Sequence, residues 1–504
     1  MNYNLVNTCK NTFYLNPSNA KEIISVIKQF KDKTGGIDKI NMKVIKKLSN
    51  LIAYPLQHIF NLCILYEKWP DCLKQAEIIP IYKNGDKHYT TNYRPISLIS
   101  NIAKIFEKLI HIRIVKFLTK FKILSDGQFG FRKNIGTKEV LAKITNILFN
   151  KIDNGLPTIV TYLDLAKAFD TINYNILFHK LISYGLRGKI LGLLRNYLSD
   201  RKQKLIVNET DSSLTEVTIG VPEGTILGPL LFIIYINDIF NVLPINSIIS
   251  YADDTAIIVS EKSWSLARDK MVQYLSLAYK WLNANQLSLN IDKTVFVTYG
   301  AYQNSIPLEI DIKIGNFNLK RVNSCKYLGV IFDCFLRWDI HIQQIVGRTR
   351  YLLFIFKKMK YFMDVQTLQM LYYALFQNVA FYGIIAWGGA YNNVILPLNN
   401  LRNRLLKIIH SSNSYNNAYL NNRQAFILDS IMNYYEELKN KFLAYPVNTR
   451  NKSIDFKASK SAAFKNNYIT AIQHYNKLPN NLKTLNLSKE NIKMKIKNHI
   501  LNNL

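Results

Sequence analysis

The chain has 504 residues, 48% hydrophobic and 12% aromatic, with 65 Lys and Arg against 34 Asp and Glu for a net charge of +31. That apolar content excludes a disordered chain and predicts a large buried core, in several domains or one multi-lobed enzyme. The charge points to a polyanionic partner, nucleic acid first, with a membrane surface or the ribosome as the alternative.

The cysteines Cys9, Cys63, Cys72, Cys325 and Cys334 are odd in number and have neither a C-x2-C pair nor a His at zinc spacing. A reducing compartment and no structural metal are expected. The opening MNYNLVNTCKNTFY lacks the basic head and apolar run of a signal peptide. The most apolar long stretch, Leu368 to Trp387, is interrupted by Gln369, Gln377 and Asn378. No membrane span, and a soluble protein, are expected.

In chain order, Asn19 and Glu22 stand at capping-box spacing ahead of Ile23, Ile24, Ile27 and Phe30, which predicts a short amphipathic helix ended by Thr34-Gly35-Gly36-Ile37-Asp38. Between Gln75 and Arg94, QAEIIPIYKNGDKHYTTNYRPIS reads as a strand, a basic loop and a return strand, followed by a helix from about Asn101 to Phe121. TIVTYLDLAKAFDTINYNILFHKLISYGL begins as a strand reaching Asp164 and ends as a helix. Leu177, Leu181 and Tyr184 supply its buried face, and Gly185 its C-terminal cap. VTIGVPEGTILGPLLFIIYINDIF predicts a Gly/Pro turn and a buried helix.

The stretch IISYADDTAIIVSE then sets Asp253 and Asp254 between two apolar strand-like runs, at the expected tip of a hairpin. On this fragment alone the pair reads as well as an ordinary Asp-rich turn. From about Trp338 the pattern becomes helical, with Ile345, Leu352, Leu353, Phe356, Leu371, Leu375 and Phe376 on recurrent faces. The last ninety or so residues are rich in Asn and Lys yet keep apolar clusters such as Ala425-Phe426-Ile427-Leu428, so partial helical order is expected.

Asp164 ends one predicted strand, and Asp253 and Asp254 follow far along the chain at another. If neighbouring strands bring them together, three carboxylates make a site for hard divalent cations, Mg²⁺ above all when phosphates complete its shell. Two such ions activate an attacking hydroxyl and stabilise the leaving oxygens of an in-line phosphoryl displacement. That is the chemistry of nucleotidyl transfer.

The motifs GGIDKI, IPIYKNGD, NYRPISL, QFGFRKNIGT, LDLAKAFD, GVPEGTILGPLLF, YADD, LSLNIDKT and CKYLGV occur in that order between Thr34 and Trp387. In wording and order they resemble the reverse transcriptases of non-LTR, LINE-type retrotransposons, with a jockey-like character. The resemblance implies an α+β right-hand polymerase with fingers, a palm built on an antiparallel sheet, a helical thumb and a basic helical C-terminal region. The implied division is an N-terminal extension at 1–60, fingers at 61–150, palm at 151–330, thumb at 331–410 and the C-terminal region at 411–504.

The resemblance further implies residue roles. Asp164 and Asp253 are similar to the principal metal ligands and Asp254 to a weaker third carboxylate, for two Mg²⁺ ions that Mn²⁺ is able to replace. Phe169 is similar to the bulky gate that rejects a ribose 2′-hydroxyl, although a lone aromatic also reads as core. Lys83 and Arg94 match the cations that hold the incoming triphosphate, Arg being suited by its planar fork. Lys293 falls where a leaving-group lysine is found in such polymerases, and reads equally as a surface lysine. Cys325, Lys326, Tyr327, Leu328 and Gly329 resemble the primer-gripping strand. Gly220, Pro222 and Gly224 resemble the template and nucleotide loop, where glycine lets backbone approach a base pair.

Glu223 departs from that pattern, because relatives typically carry Gln after the Pro. A carboxylate cannot donate the amide hydrogen bonds and adds negative charge near a triphosphate, so weakened nucleotide use is expected. No endonuclease region, RNase H block or zinc knuckle is expected in the chain.

The reading is an RNA-directed DNA polymerase acting on an RNA template, a DNA primer and deoxynucleoside triphosphates, with nuclear action implied by the family alone. The alternative is a catalytically weakened or inactive RNA-binding derivative. A maturase or RNA-templated RNA polymerase fits Phe169 and the NYRPISL and CKYLGV wording less well.

Overall fold

The protein is described by a computed structural model covering residues 8–32, 34–207, 210–302, 305–410, 419–444 and 466–503. Parts of the predicted C-terminal region, 411–418 and 445–465, lie outside the described residues. The structure mixes helices and sheets, as an α+β protein does. Its strands are β1 (Gln75–Tyr82), β2 (Tyr93–Ile99), β3 (Thr158–Leu163), β4 (Leu165–Ala166), β5 (Arg201–Val207), β6 (Thr210–Asp211), β7 (Thr215–Val217) and β8 (Ile248–Tyr251). They continue as β9 (Asp254–Ser260), β10 (Ser288–Leu289), β11 (Val295–Tyr299), β12 (Lys313–Ile314), β13 (Phe317–Asn318), β14 (Lys320–Arg321), β15 (Ser324–Tyr327) and β16 (Val330–Asp333).

The chain divides into two compact units, the first comprising Met1–Phe131, Asp164–Thr255 and Tyr274–Asn290, and the second comprising Arg132–Leu163, Ala256–Gln273 and Ile291–Leu504. In the first unit the expected N-terminal helix is Ala20–Gln29, and its Asn19 side chain accepts from the Glu22 N–H at 2.9 Å. One orphan donor of the first turn is thereby satisfied. The predicted strand, loop and return strand are β1 and β2, antiparallel with Ile81 opposite Arg94. β5 adds to the other edge of β1 in parallel, Gln75 beside Lys202. The Asn101–Lys120 helix follows β2, capped by Ser100, whose Oγ accepts from the Ile102 N–H at 3.1 Å.

An aromatic stack fills the core of this unit. Phe106 lies face to face with Phe60 at 4.4 Å and with Trp69 at 4.3 Å, and Tyr197 meets the Trp69 ring at 4.7 Å. Such rings remove large apolar areas from water and gain further from their offset geometry. The Leu227–Ile236 helix is apolar on every side and buried at every residue but Pro229. The Tyr174–Ser183 helix buries Leu177 and Leu181, and Gly185 at φ +89° ends it as expected.

In the second unit β3 lies between β11 and β9, with β14 beyond β11. Every residue of β3 is buried, and its Tyr162 hydroxyl shares a 2.8 Å hydrogen bond with that of Tyr299 on β11. From Asp339 onward the unit is helical, and Ile345, Leu352, Phe356 and Phe376 are buried as expected. Leu375 is a correction: it is 40% exposed, and Tyr372 is buried instead. Tyr372–Gln377 is a π-helical stretch, whose wider turn shifts the inward face by about one residue. Ala425, Phe426, Ile427 and Leu428 are buried in the Asn422–Ala444 helix. Tyr434 of that helix donates to Asn467 Oδ1 at 2.9 Å, joining it to the Asn467–Asn476 helix. Among the described residues no helix is long and apolar enough to cross a membrane.

Candidate active site

The two adjacent acids sit at a β8–β9 hairpin, as predicted, with Asp253 in the turn and Asp254 as the first residue of β9. Ala252 adopts the left-handed conformation, φ +59°, which costs a residue with a Cβ roughly 1–2 kcal/mol. Its neighbours must therefore hold it there. Asp164 lies between β3 and β4. Locally it is fixed from β10, because Leu165 pairs with Leu289 and the Asn290 N–H donates to the Asp164 carbonyl at 2.8 Å.

Asp164 acts on both adjacent acids, and Asp253 acts on Asp254. Burial raises the Asp253 carboxyl, and Asp164 adds to the rise while Arg94 and Lys83 oppose it. Asp254 is pushed up to about 6, first by desolvation and then by the charges of Asp253 and Asp164, even though part of its side chain reaches solvent. Like charges held together in poor solvent disfavour ionisation, which is the effect a bound cation would reverse.

Among the described residues no three His, Cys, Asp or Glu side chains stand close enough to form a ready-made metal cage. The donor set fits Mg²⁺ chemically: it is all carboxylate oxygen, the hard ligand such ions prefer. Asp164, Asp253 and Asp254 are the carboxylates that could hold it if they drew together around the ion.

The predicted cations face these acids. Lys83 follows the last residue of β1, where its N–H donates to the Asn92 carbonyl at 2.8 Å, and Arg94 stands on β2. Both exert a field on Asp253, and Arg94 also acts on Asp254. The loop from Gly220 to Thr225 is tied at both ends. The Val221 N–H donates to the Phe169 carbonyl at 2.8 Å, the Gly220 N–H to Ile172 at 3.0 Å, and the Ser97 N–H of β2 to the Glu223 carbonyl at 2.7 Å. Gly224, at φ +98°, leaves no room for a Cβ, which would stand 2.8 Å from the Ser97 carbonyl oxygen.

Glu223 Oε2 lies 3.5 Å from Arg94 Nε. Burial raises the Glu223 carboxyl, Arg94 opposes the rise, and Asp170 and Asp253 add to it. Phe169 is half-buried, stacked on Phe232 at 4.5 Å and edge-on to Phe131 at 6.2 Å. One part of its ring serves the core and another remains accessible.

Two of the expected sites belong to the second unit. Lys293 is exposed in the turn before β11. Cys325 to Gly329 form most of the β15–β16 hairpin, whose tip takes positive φ at Leu328 (+46°) and Gly329 (+82°). Tyr382 seals that tip, donating its hydroxyl to the Leu328 carbonyl at 2.8 Å.

Two buried side chains near the site were not singled out by sequence. Gln128, in QFGFRKNIGT, is fully buried against the Ala252 turn, and its Oε1 accepts from the Gly130 N–H at 2.7 Å and the Ala252 N–H at 3.0 Å. Glu107, fully buried on the Asn101–Lys120 helix, accepts from Tyr197 Oη at 2.8 Å, Ile226 N–H at 2.6 Å and Leu227 N–H at 3.3 Å. It thus closes the donor-rich start of the Leu227–Ile236 helix. A Glu amid an apolar helical face, Ile105, Phe106, Leu109 and Ile110, was the available signal for it.

Comparison with known proteins supplies the family. Residues 81–332 match the reverse transcriptase (RNA-dependent DNA polymerase) family. The "Probable RNA-directed DNA polymerase from transposon BS" of Drosophila melanogaster is 27% identical over 411 residues, 78% of this chain and 45% of that protein. The "RNA-directed DNA polymerase from mobile element jockey" of the same organism is 28% identical over 321 residues, 62% of this chain and 35% of that protein. The jockey protein of Drosophila funebris is 28% identical over 64% of this chain and 36% of its own length. The chain spans under half the length of these curated relatives. The chain belongs to the reverse transcriptase family, on its non-LTR, jockey-like side.

Proposed function

We propose that this protein is the RNA-directed DNA polymerase of a non-LTR mobile element, copying an RNA template by adding deoxynucleotides to a DNA primer through a two-metal mechanism. The supporting observation is electrostatic: the Asp164 charge acts on Asp253 and Asp254, Asp253 acts on Asp254, and Arg94 and Lys83 act on Asp253. Cations opposite carboxylates suit a triphosphate lying between them, its phosphates toward Lys83 and Arg94 and its reacting phosphorus toward the acids.

When bound, Mg²⁺ neutralises charge on the attacking and leaving oxygens. Asp164 and Asp253 orient the reacting groups as its principal ligands, with Asp254 as the weaker third. Phe169 packs beneath the sugar and excludes a 2′-hydroxyl. Gly220, Pro222 and Gly224 let backbone approach the nascent base pair, Lys293 protonates the leaving pyrophosphate, and Cys325 to Gly329 hold the primer end. In this assignment 61–150 are fingers, 151–330 palm and 331–410 thumb, between an N-terminal extension at 1–60 and a basic region at 411–504. The +31 charge supplies sequence-independent attraction to the phosphates of the template-primer duplex. The nucleus, where such elements meet their DNA targets, is the proposed site of action.

Extension of a DNA primer on an RNA template, with Mg²⁺ and either deoxynucleotides or ribonucleotides, tests this reading. Incorporation of deoxynucleotides alone supports it. Binding of RNA without extension would leave only an RNA-binding role.

A further inference from the structure

We propose that Gln128 is a positioning residue that sets the backbone of the acidic turn and thereby the place of Asp253 relative to Asp164; this rests on the reading of those two acids as metal ligands. Several independent contacts meet at one peptide. Gln128 Oε1 accepts from both the Gly130 and Ala252 N–H groups, which fixes the orientation of its amide and turns Nε2 toward the Ala252 carbonyl oxygen, 3.4 Å away. Both hydrogen-bonding groups of Ala252 are thus engaged by one side chain.

The rest of the surroundings repeat the pattern. Ser250 Oγ donates to the same Ala252 carbonyl at 2.7 Å and accepts from Thr255 Oγ1 at 3.0 Å. Backbone bonds flank the clamp, from the Phe129 N–H to the Ser250 carbonyl and from the Ser250 N–H to the Gly127 carbonyl, each 2.9 Å. Gly130 lets the two segments close, since a Cβ there would lie 2.3 Å from the Ala252 nitrogen.

This is a costly arrangement for a turn that only reverses the chain. Ala252 is left-handed and buried, so its conformation persists only because its surroundings over-determine it. Without the Gln128 amide the Ala252 N–H and carbonyl would each lose a partner in a buried place, and the turn would relax toward an ordinary φ. Asp253, the next residue, would move with it. Groups that orient a ligand from behind commonly change metal affinity by about 10- to 100-fold when removed.

Two measurements on the full chain test the proposal, using Gln128→Met and the milder Ser250→Ala, with folding checked by circular dichroism. The first is the Mg²⁺ concentration for half-maximal primer extension, alongside the KM for template-primer. The second is hydrogen exchange of the metal-free protein in a peptide covering the turn. Gln128→Met is expected to raise the Mg²⁺ requirement about tenfold and speed exchange of the turn amides about fivefold, with template-primer KM unchanged. Ser250→Ala is expected to shift both in the same direction by less, and carries the test if Gln128→Met does not fold. Unchanged Mg²⁺ requirement in a folded variant overturns the proposal, whether or not exchange quickens. Asp253→Asn, measured beside them, judges the underlying reading separately: if it extends primers with the parent's Mg²⁺ dependence, the metal-ligand assignment fails, while the exchange data still report on the clamp.

Discussion

Arg94 Nε stands 3.5 Å from Glu223 Oε2, so the arginine assigned to the incoming triphosphate already faces a carboxylate of its own chain. The Arg94 side chain is 55% exposed, which screens the pair and limits its worth to about 1 kcal/mol or less. A triphosphate must displace that interaction and also approach the Glu223 charge. Glu223→Gln is therefore expected to lower the KM for deoxynucleotides by about fivefold, with little change in template-primer affinity. Steady-state primer extension at varied nucleotide concentration measures it, and an unchanged KM refutes the competition.

Phe169 gains from both its neighbours and its open edge. Replacement by Val shortens the side chain beneath the proposed sugar position and keeps an apolar residue against Phe232. The preference for deoxynucleotides over ribonucleotides, as a ratio of kcat/KM values, is expected to fall by about 10- to 100-fold. Competition assays on one template check this; a retained preference removes Phe169 as the gate.

Glu107 joins the stability of the first unit to the loop beside the site. Its Ala variant leaves the Tyr197 hydroxyl and the Ile226 and Leu227 N–H groups without their acceptor in a dry core. A loss of about 3 kcal/mol is expected, read as a lower midpoint in thermal unfolding, and Glu107→Gln should recover part of it because its carbonyl oxygen still accepts. Equal melting of Glu107→Ala and the parent would contradict this account.

Lys180 and Asp238 form a buried ion pair at 2.6 Å, the ammonium also donating to the Tyr235 carbonyl at 2.6 Å. Removing only the cation, as in Lys180→Met, strands Asp238 and is expected to cost about 3–5 kcal/mol, whereas Lys180→Met with Asp238→Leu should recover most of it. Burial holds the Lys180 ammonium down to about 8, with Asp238 opposing the shift. The unfolded chain therefore binds this proton more tightly, and between pH 8 and the ordinary lysine value the Lys180 contribution grows more favourable as pH rises. Melting curves of the parent relative to the double variant should show that sign, and a reversed slope would refute it.

Much of the site was legible in the residues because it is built from local signals. The Asn19 cap, the strand and return carrying Lys83 and Arg94, and the hairpin bearing Asp253 and Asp254 each follow from spacing within a dozen or so residues. What stayed hidden depends on partners chosen by tertiary packing. β5 joins β1 in parallel although Lys202 is far along the chain from Gln75, and alternation alone names no partner for an edge. Gln128 reads as one polar residue in a glycine-rich stretch until Ala252 lies against it. Leu375 was misplaced because periodicity assumes 3.6 residues per turn, and the π-helical Tyr372–Gln377 departs from it.

The central claim is that Asp164 and Asp253 act together through divalent metal. The most direct measurement is single-turnover primer extension on an RNA template with Asp164→Asn, Asp253→Asn and the parent, each titrated with Mg²⁺. The account predicts that the parent depends on Mg²⁺, that either substitution lowers the rate at least about 1000-fold, and that the double variant is no slower than the worse single one, as expected for residues acting as a unit. Near-parental extension by either Asn variant, or extension by the parent without divalent metal, would contradict it.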